Sequence, residues 1–432
     1  MNRIKNILPL LIILFTVSVQ AQENLSLSDA ITLALEYNYD LQITRQSEEI
    51  SGINNDWGNT GIMPSINFNL NGRENFNIND NENYRTQTIA PDLSLSWVFF
   101  DGFSAKITKQ KFEQLEQQSQ GNTAILIEST IQNIIVAYNA CVLQKEMLDV
   151  YKELAGLSED RYRRTEDSKE IGASTTYEML QAKTSWLEDQ SNYLQQQVNY
   201  ENAVRTLNFN MAVVDDKMWN FTTALETNTP DYLLEDLKGK LVSNNKTLKN
   251  QYLNQSLLAK ETELAKSNMY PKLSLNTGVG NTWMDNYYSG STPNVSLNSM
   301  DAYFGLSLSF NIFNGGIARR SVQIAQIKEE TEQIQTDQMT HSLNNQLLQM
   351  YSNYNVQKAI LELANEKETT AKLNLDLSAD KFKSGVINSF NYRDVQIIYM
   401  NAAIAKFQAI YNLIESNTDL LRITGGIINE YE

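Results

Sequence analysis

Residues from about Leu25 to Met211 resemble a divergent copy of those from about Leu233 to Ile427, and the register follows by subtraction. Met63-Pro64 recurs as Tyr270-Pro271 at an offset of 207, and Leu41 falls on Leu248 at the same offset. Beyond a loop six residues longer in the second copy, the offset becomes 213. Leu93, Leu95, Trp97 and Phe99 then fall on Leu306, Leu308, Phe310 and Ile312, Phe100-Asp101-Gly102 on Phe313-Asn314-Gly315, and Gly172 on Gly385. Each copy pairs short alternating strands with a very long helical stretch. A chain that builds one unit twice is expected to give a structure with doubled or rotational symmetry.

The strands carry a period of two. Leu93, Leu95, Trp97 and Phe99 alternate with Ser94, Ser96 and Val98, and Leu306, Leu308, Phe310 and Ile312 with Ser307, Ser309 and Asn311. Ile66, Phe68 and Leu70 alternate with asparagines, and Leu273 and Leu275 with Ser274 and Asn276. One face is apolar and the other is small and uncharged, as a wet lumen permits. Aromatic residues gather at both ends: Trp97, Phe99, Phe100 and Phe313 at one, Tyr84, Trp283, Tyr287 and Tyr288 at the other. Two such girdles belong to outer-membrane barrels rather than to a soluble sheet. The connections Glu74 to Arg85 and Asp285 to Asn298, rich in Asn, Ser, Gly and Tyr, suit long exposed loops. Four strands cannot close in lipid without leaving unpaired edges. Chains must therefore pool strands, two giving a small filled barrel and three giving twelve strands around an open lumen.

From Gly102 to Gly172, and from Gly315 to Gly385, the chain runs 70 residues without a proline. As helix, each stretch is about 100 Å long. Leu343, Leu347, Met350, Tyr354, Leu361, Ala364, Ala371, Leu375 and Phe382 form a core stripe of the coiled-coil kind. Glycine-centred turns at Gly172 and Gly385 end the long helices. Ser174 or Thr175, and Asn388 or Ser389, are placed to cap helices that return to about Phe209 and Ile423. Shorter helices over Leu27 to Trp57 and Leu233 to Lys266 lead to strands that begin after Pro64 and Pro271. Residues from about Asn210 to Pro230, with the tail after Thr424, break the pattern and are expected to form a belt.

Composition fixes the compartment. Arg3 and Lys5 precede an apolar run from Ile7 to Val19, too short to span as a helix, and Val19-Gln20-Ala21 offers a cleavage site. These predict a signal peptide over 1–21 and a mature chain from Gln22. Past it, no apolar run approaches the length of a transmembrane helix. The net charge is −16 and becomes more negative once Arg3 and Lys5 are removed, which argues against nucleic acid as a partner. Cys141, the one cysteine, lies among apolar helical residues and reads as buried packing. One histidine, His341, and one cysteine cannot supply a zinc cluster, and no nucleophile elbow, phosphate loop or calcium loop occurs. Neither enzyme activity nor a cofactor is expected.

Taken together, the duplicated order, the proline before the first strand of each half, the Phe-Asp-Gly and Phe-Asn-Gly corners and the glycine tips resemble the TolC-like outer-membrane efflux proteins. The resemblance covers about residues 23 to 427. It implies an α+β membrane protein in which a long α-helical coiled-coil barrel joins four β-strands per chain, the chain being one third of a homotrimer with a twelve-stranded outer-membrane β-barrel. It divides the chain into the signal peptide 1–21, a first repeat 22–211, a linker 212–232, a second repeat 233–427 and a tail 428–432. It implies the outer membrane of a Gram-negative bacterium, with a large periplasmic helical domain. The implied role is the exit duct of a tripartite efflux pump or a type I secretion system, set in outer-membrane lipid. The implied partners are a periplasmic adaptor (membrane fusion) protein and an inner-membrane transporter. Ile171, Gly172, Gly385 and Val386 match the family's adaptor-docking tips. Its acidic gate maps onto Asn391 and Asp394, with Glu178 and Gln181 at the equivalent positions of the first half. Asn391 lacks the carboxylate, which leaves a single ring of Asp394 with help from Glu178. Arg161, Arg163 and Arg164, two to three turns before the first tip, fit an acidic adaptor surface, links that hold the tunnel shut, or, the reading favoured here, a solvated face paired with Glu159, Glu166 or Asp167. The alternative of another class is a soluble periplasmic coiled-coil scaffold without channel activity.

Overall fold

The structure is a computed structural model that describes residues 23–78, 83–226 and 230–428. The signal peptide expected over 1–21 lies outside the described residues. The chain folds as two compact units. One takes its described residues from 23–34, 134–226 and 363–411, the other from 35–78, 83–133, 230–362 and 412–428. Each unit therefore draws on both repeats.

The second unit holds the sheet. Strands β2 (Ser65–Asn77), β3 (Tyr84–Phe100), β5 (Lys272–Tyr288) and β6 (Val295–Ser309) form one antiparallel sheet in the order β2-β3-β5-β6. β2 and β5 begin directly after Pro64 and Pro271, as the prolines require. The register stacks like on like. Ile66 faces Leu95, Phe68 faces Leu93, Leu93 faces Val279 and Leu275 faces Leu306. On the other face Asn67 meets Ser94, and Ser274 meets Ser307. The apolar side is uncovered, with Phe68 at 68% and Phe304 at 71% exposure. From Leu273 to Trp283 this face runs about 33 Å along the strand.

Two expectations for the sheet change. The alternation does not run on through Phe99, because the register shifts between Val98 and Phe100, putting Phe100 opposite Leu273. Nor are the connections long. β2 continues to Asn77 and β3 starts at Tyr84, while β5 continues to Tyr288 and β6 starts at Val295. Cross-strand partners such as Thr86–Asn286 (2.7 Å) and the Tyr84–Tyr288 ring contact extend the ladder into segments whose polar composition alone suggested loop.

The remaining elements are helical, apart from one small sheet. Helices α3 (Ser104–Glu170) and α7 (Ile317–Lys383) both have 67 residues, and α4 (Thr176–Asn210) and α8 (Ser389–Ile423) both have 35. All four pairs of bounds differ by the offset of 213 read in the sequence. The corner motifs explain the helix starts. Asp101 Oδ2 accepts from the Ala105 N–H at 2.8 Å, and Asn314 Oδ1 accepts from the Ala318 N–H at 3.4 Å, so each capping residue satisfies an orphan donor of the first turn. The two shorter helical stretches are each broken in two, as α1 (Leu27–Tyr37) with α2 (Tyr39–Asn54), and α5 (Leu234–Asn244) with α6 (Lys246–Ser267). Asn38 and Asn245, again 207 apart, make both breaks by accepting from the N–H groups of Leu41 and Leu248. The first stretch also stops short of Trp57, which opens a 3₁₀ turn over Trp57–Thr60.

Packing follows the stripe. Leu347, Tyr354, Leu361, Ala364, Ala371 and Leu375 are buried, and Leu343, Met350 and Phe382 half-buried. Cys141 is buried in α3 and its thiol is pushed up to about 12 by that burial. Contrary to the expectation of no run long and apolar enough to span, α3 contains an 18-residue window with a mean hydropathy of 1.3. Its Ile134, Ile135, Tyr138 and Cys141 are fully buried, as in a core helix. In the first unit, β1 (Glu23–Leu25) pairs in parallel with β4 (Trp219–Phe221), and the Tyr138 hydroxyl ties both segments by donating to Leu25 O and accepting from Thr223 N. The expected belt thus enlists the N-terminal residues as well.

This packing makes the two corner glycines unequal. Gly102 has φ +73°, and a Cβ there would lie 2.5 Å from Ser267 O, whereas Gly315 has φ +67° and open space. Gly102→Ala should abolish folded protein in the membrane fraction, while Gly315→Ala loses only the left-handed preference, about 1 kcal/mol, measurable as a small drop in melting temperature. Glu128, buried in α3 with Lys246, Lys249 and Arg422 nearby, has its carboxyl raised to about 7, chiefly by burial. The folded state therefore holds a proton that the unfolded chain has released above about pH 4.5. Stability should fall as pH rises from about 4.5 through 7, and Glu128→Gln should flatten that slope in a urea titration.

Candidate functional site

The two hairpin tips lie in the first unit and are built alike. α3 ends where the Ala173 N–H reaches Ser168 O (2.8 Å), and α7 where the Val386 N–H reaches Lys381 O (2.9 Å). Gly172 (φ +77°) and Gly385 (φ +76°) supply the left-handed residue that such helix ends need. The turn throws Ile171 (82% exposed) and Val386 (70% exposed) into solvent. Thr175 caps α4 through a capping box with Glu178, and Asn388 caps α8 by accepting from the Asn391 N–H at 2.9 Å. A groove of about 750 Å³ runs between the tips, lined by Arg164, Glu178, Gly385, Val386 and Asn391 among others.

The three expected gate positions separate in this geometry. Glu178 and Asn391 share the groove. The Glu178 carboxylate is taken up locally, accepting from Thr175 N (2.9 Å) and Ser174 Oγ (2.8 Å), and these bonds hold it below the usual carboxylate range. Asp394 lies outside the groove lining, exposed on α8, with no ion pair or hydrogen bond of its side chain among the described residues.

The arginine cluster divides, Arg163 fitting the solvated face and Arg161 not. Arg163 is a surface residue paired with Glu159 at 2.5 Å, as the solvated reading requires. Arg161 is only 3% exposed. It is therefore no part of a solvated face. Its Nη1 donates to Ser389 O at 3.3 Å, while Nε and Nη2 are buried without a protein partner among the described residues. Burial, with Arg393 alongside, pushes its guanidinium down to about 10 against the pull of Asp189. Arg393 and Asp189 form a bidentate pair at 2.5 and 2.7 Å, with side chains 14% and 2% exposed. This pair joins α4 to α8, and Arg161 brings α3 to the same place. Sequence reasoning missed Asp189 and Arg393. The one available signal was a carboxylate and a guanidinium at positions that the helical period places on core faces.

The exposed apolar sheet face with its aromatic ends defines an outer-membrane protein whose strands meet lipid, and the long capped hairpins define a helical domain of the periplasmic kind. The chain matches the family described as outer membrane efflux protein over residues 30–212 and 237–426, and it belongs to that family. It is an outer-membrane protein of the Gram-negative type with a periplasmic helical domain, which sets aside the soluble scaffold. Among curated proteins there is no significant sequence match. Solved structures share the fold. The Campylobacter jejuni CmeC outer membrane channel superposes with a TM-score of 0.75 at 16% identity, over 93% of this chain and 85% of that one. The open state of the Neisseria gonorrhoeae MtrE outer membrane channel gives 0.74 at 14%, over 93% and 89%. CusC, studied for folding and transmembrane channel formation, gives 0.75 at 13%, over 93% and 92%.

The charge arrangement predicts an asymmetry. Asp189→Asn leaves buried Arg161 and half-buried Arg393 without a carboxylate and should cost about 3–5 kcal/mol. Arg393→Gln leaves Arg161 beside Asp189 and should cost distinctly less. Urea unfolding followed through Trp186, three residues from Asp189 on α4, measures the order.

Proposed function

We propose that three copies of this chain close a twelve-stranded barrel and act as the passive exit duct of a tripartite efflux pump or type I secretion system. The observation that carries this reading is the sheet, with an apolar outer face and β2 and β6 at its free edges. In hydrocarbon each unpaired edge group costs several kcal/mol, so the edges require strands from further copies. The helices support the same association. Besides its buried stripe, α7 carries Leu363, Leu373 and Leu377 at 56–67% exposure, and α4 carries Leu180, Leu187 and Leu194 at 52–53%. Exposed leucines at heptad spacing along α4 suit a neighbouring helix. CmeC and MtrE, which share the fold, are outer membrane channels.

Work in such a duct is conduction and gating. Ile171 and Val386, projecting from the tips beside Gly172 and Gly385, are the contact for a periplasmic adaptor, which with an inner-membrane transporter would favour splayed hairpins over closed ones. Asp394, exposed and unpaired near the second tip, forms the gate ring when three copies meet. Like charges crowded on an axis attract cations. Asn391 and Glu178 line the approach, Glu178 mainly as a helix cap.

Threefold particles in detergent, seen by electron microscopy, test the assembly. A stable monomer would overturn it. For the gate, Asp394→Ala should weaken block by trivalent cations in a planar bilayer by about tenfold, equivalent to about 1.4 kcal/mol. Unchanged block removes Asp394 from the gate.

A further inference from the structure

We propose that the groove where the sheet meets α3 binds a glycerophospholipid of the periplasm-facing leaflet, Phe103 supporting its glycerol–acyl body and Lys106 its phosphate. The duplication supplies an internal control. Phe103 and Gly316 correspond at the offset of 213, and both take left-handed backbone, φ +69° and +77°. Glycine enters that region freely, and a phenylalanine does so against its Cβ. The second copy uses the unstrained residue. The first keeps an aromatic side chain at a backbone position that disfavours it, and strain held in this way points to a task for the side chain.

Its surroundings say what the task is. Phe103 is 56% exposed, yet its ring is fixed edge-on against Phe100 (5.2 Å) and Tyr270 (6.1 Å). With Trp57, Ile62 and Phe99 it lines an open groove of about 430 Å³, whose lining also holds Lys106, Lys109, Asp101 and Glu113. The charges there are distributed unequally. Lys109 Nζ donates to Glu113 (2.9 Å) and Asn55 (2.6 Å), and the Asp101 carboxylate accepts from the first turn of α3. Lys106 is exposed, with no hydrogen bond or ion pair among the described residues. One free ammonium thus stands beside an aromatic floor.

The groove also lies at the right level. Phe100 pairs with Leu273, where the exposed apolar face ends and the helices begin. An acyl chain leaving the groove continues along that face, and a phosphate at its mouth meets Lys106. Aromatic rings with an adjacent cation suit a lipid at the depth of its headgroup. A free phosphate would use the ammonium and leave the rings in water. The site lies within one chain, so it holds whatever number of copies closes the barrel.

Lipid that survives mild detergent extraction tests this, counted per chain by lipid phosphorus and mass spectrometry for the unsubstituted chain, Phe103→Gly and Lys106→Gln. The unsubstituted protein should retain phospholipid, each variant should retain at least threefold less, and washing with inorganic phosphate should not displace it. Phe103→Gly relieves the backbone, so its melting temperature should not fall, which separates lipid loss from misfolding. Equal retention in both variants overturns the site, as does an unsubstituted protein that retains none. Loss of oligomer in Phe103→Gly with lipid unchanged would make Phe103 a contact between copies and also overturn it.

Discussion

Backbone hydrogen bonding in hydrocarbon governs this chain. A strand in lipid has no water to satisfy an unpaired N–H or C=O, so a sheet with two free edges is an unfinished object there. β3 and β5 are paired on both sides, but β2 and β6 are not. Other features serve the presentation of those strands. The register places apolar residues opposite apolar residues across the ladders, so the exposed apolar side is continuous. The bulge near Phe99 turns β3 as it approaches α3, where Gly102 fits against Ser267 O with no room for a side chain. The strands thus reach the helices by a corner that only certain residues can build.

The tips follow a different logic. Near them, α3, α4 and α8 are joined by buried charge as well as by apolar packing. Removing two ions from water offsets most of their attraction, so a buried pair adds little to stability, yet losing one partner is expensive. Arg393 and Asp189 satisfy each other, while Arg161 adds a second cation whose Nε and Nη2 find no protein acceptor among the described residues. Two guanidinium groups thus share one buried carboxylate at this helix junction.

Much of the fold was legible because it rests on periodicity and on residues with restricted backbones. Offsets of 207 and 213 located the strand starts and the bounds of the long helices, since prolines, glycine tips and capping side chains act locally. The breaks at Asn38 and Asn245 are not legible, because asparagine is common within polar helices and only its side-chain bond to Leu41 N or Leu248 N reveals a cap. The strand ends are not legible in composition, because Asn, Ser and Tyr suit loops and the polar face of a strand equally, and pairing decides between them. The burial of Arg161 could not be read from its neighbours Arg163 and Arg164, since a shift of two residues on a helix crosses from one face to another. Of the site, the tips and their caps were visible, whereas the Arg393–Asp189 contact joins residues 204 positions apart.

The two long helices have the same number of residues, and so do the two returning ones. Paired hairpins of matched size cannot change independently. One extra residue in α3 would rotate everything beyond it by about 100° and advance it by about 1.5 Å, while α7 stayed put. Insertions and deletions within these helices should accordingly arrive in pairs, one per repeat, a constraint the strand region escapes, since the two repeats already differ there by six residues.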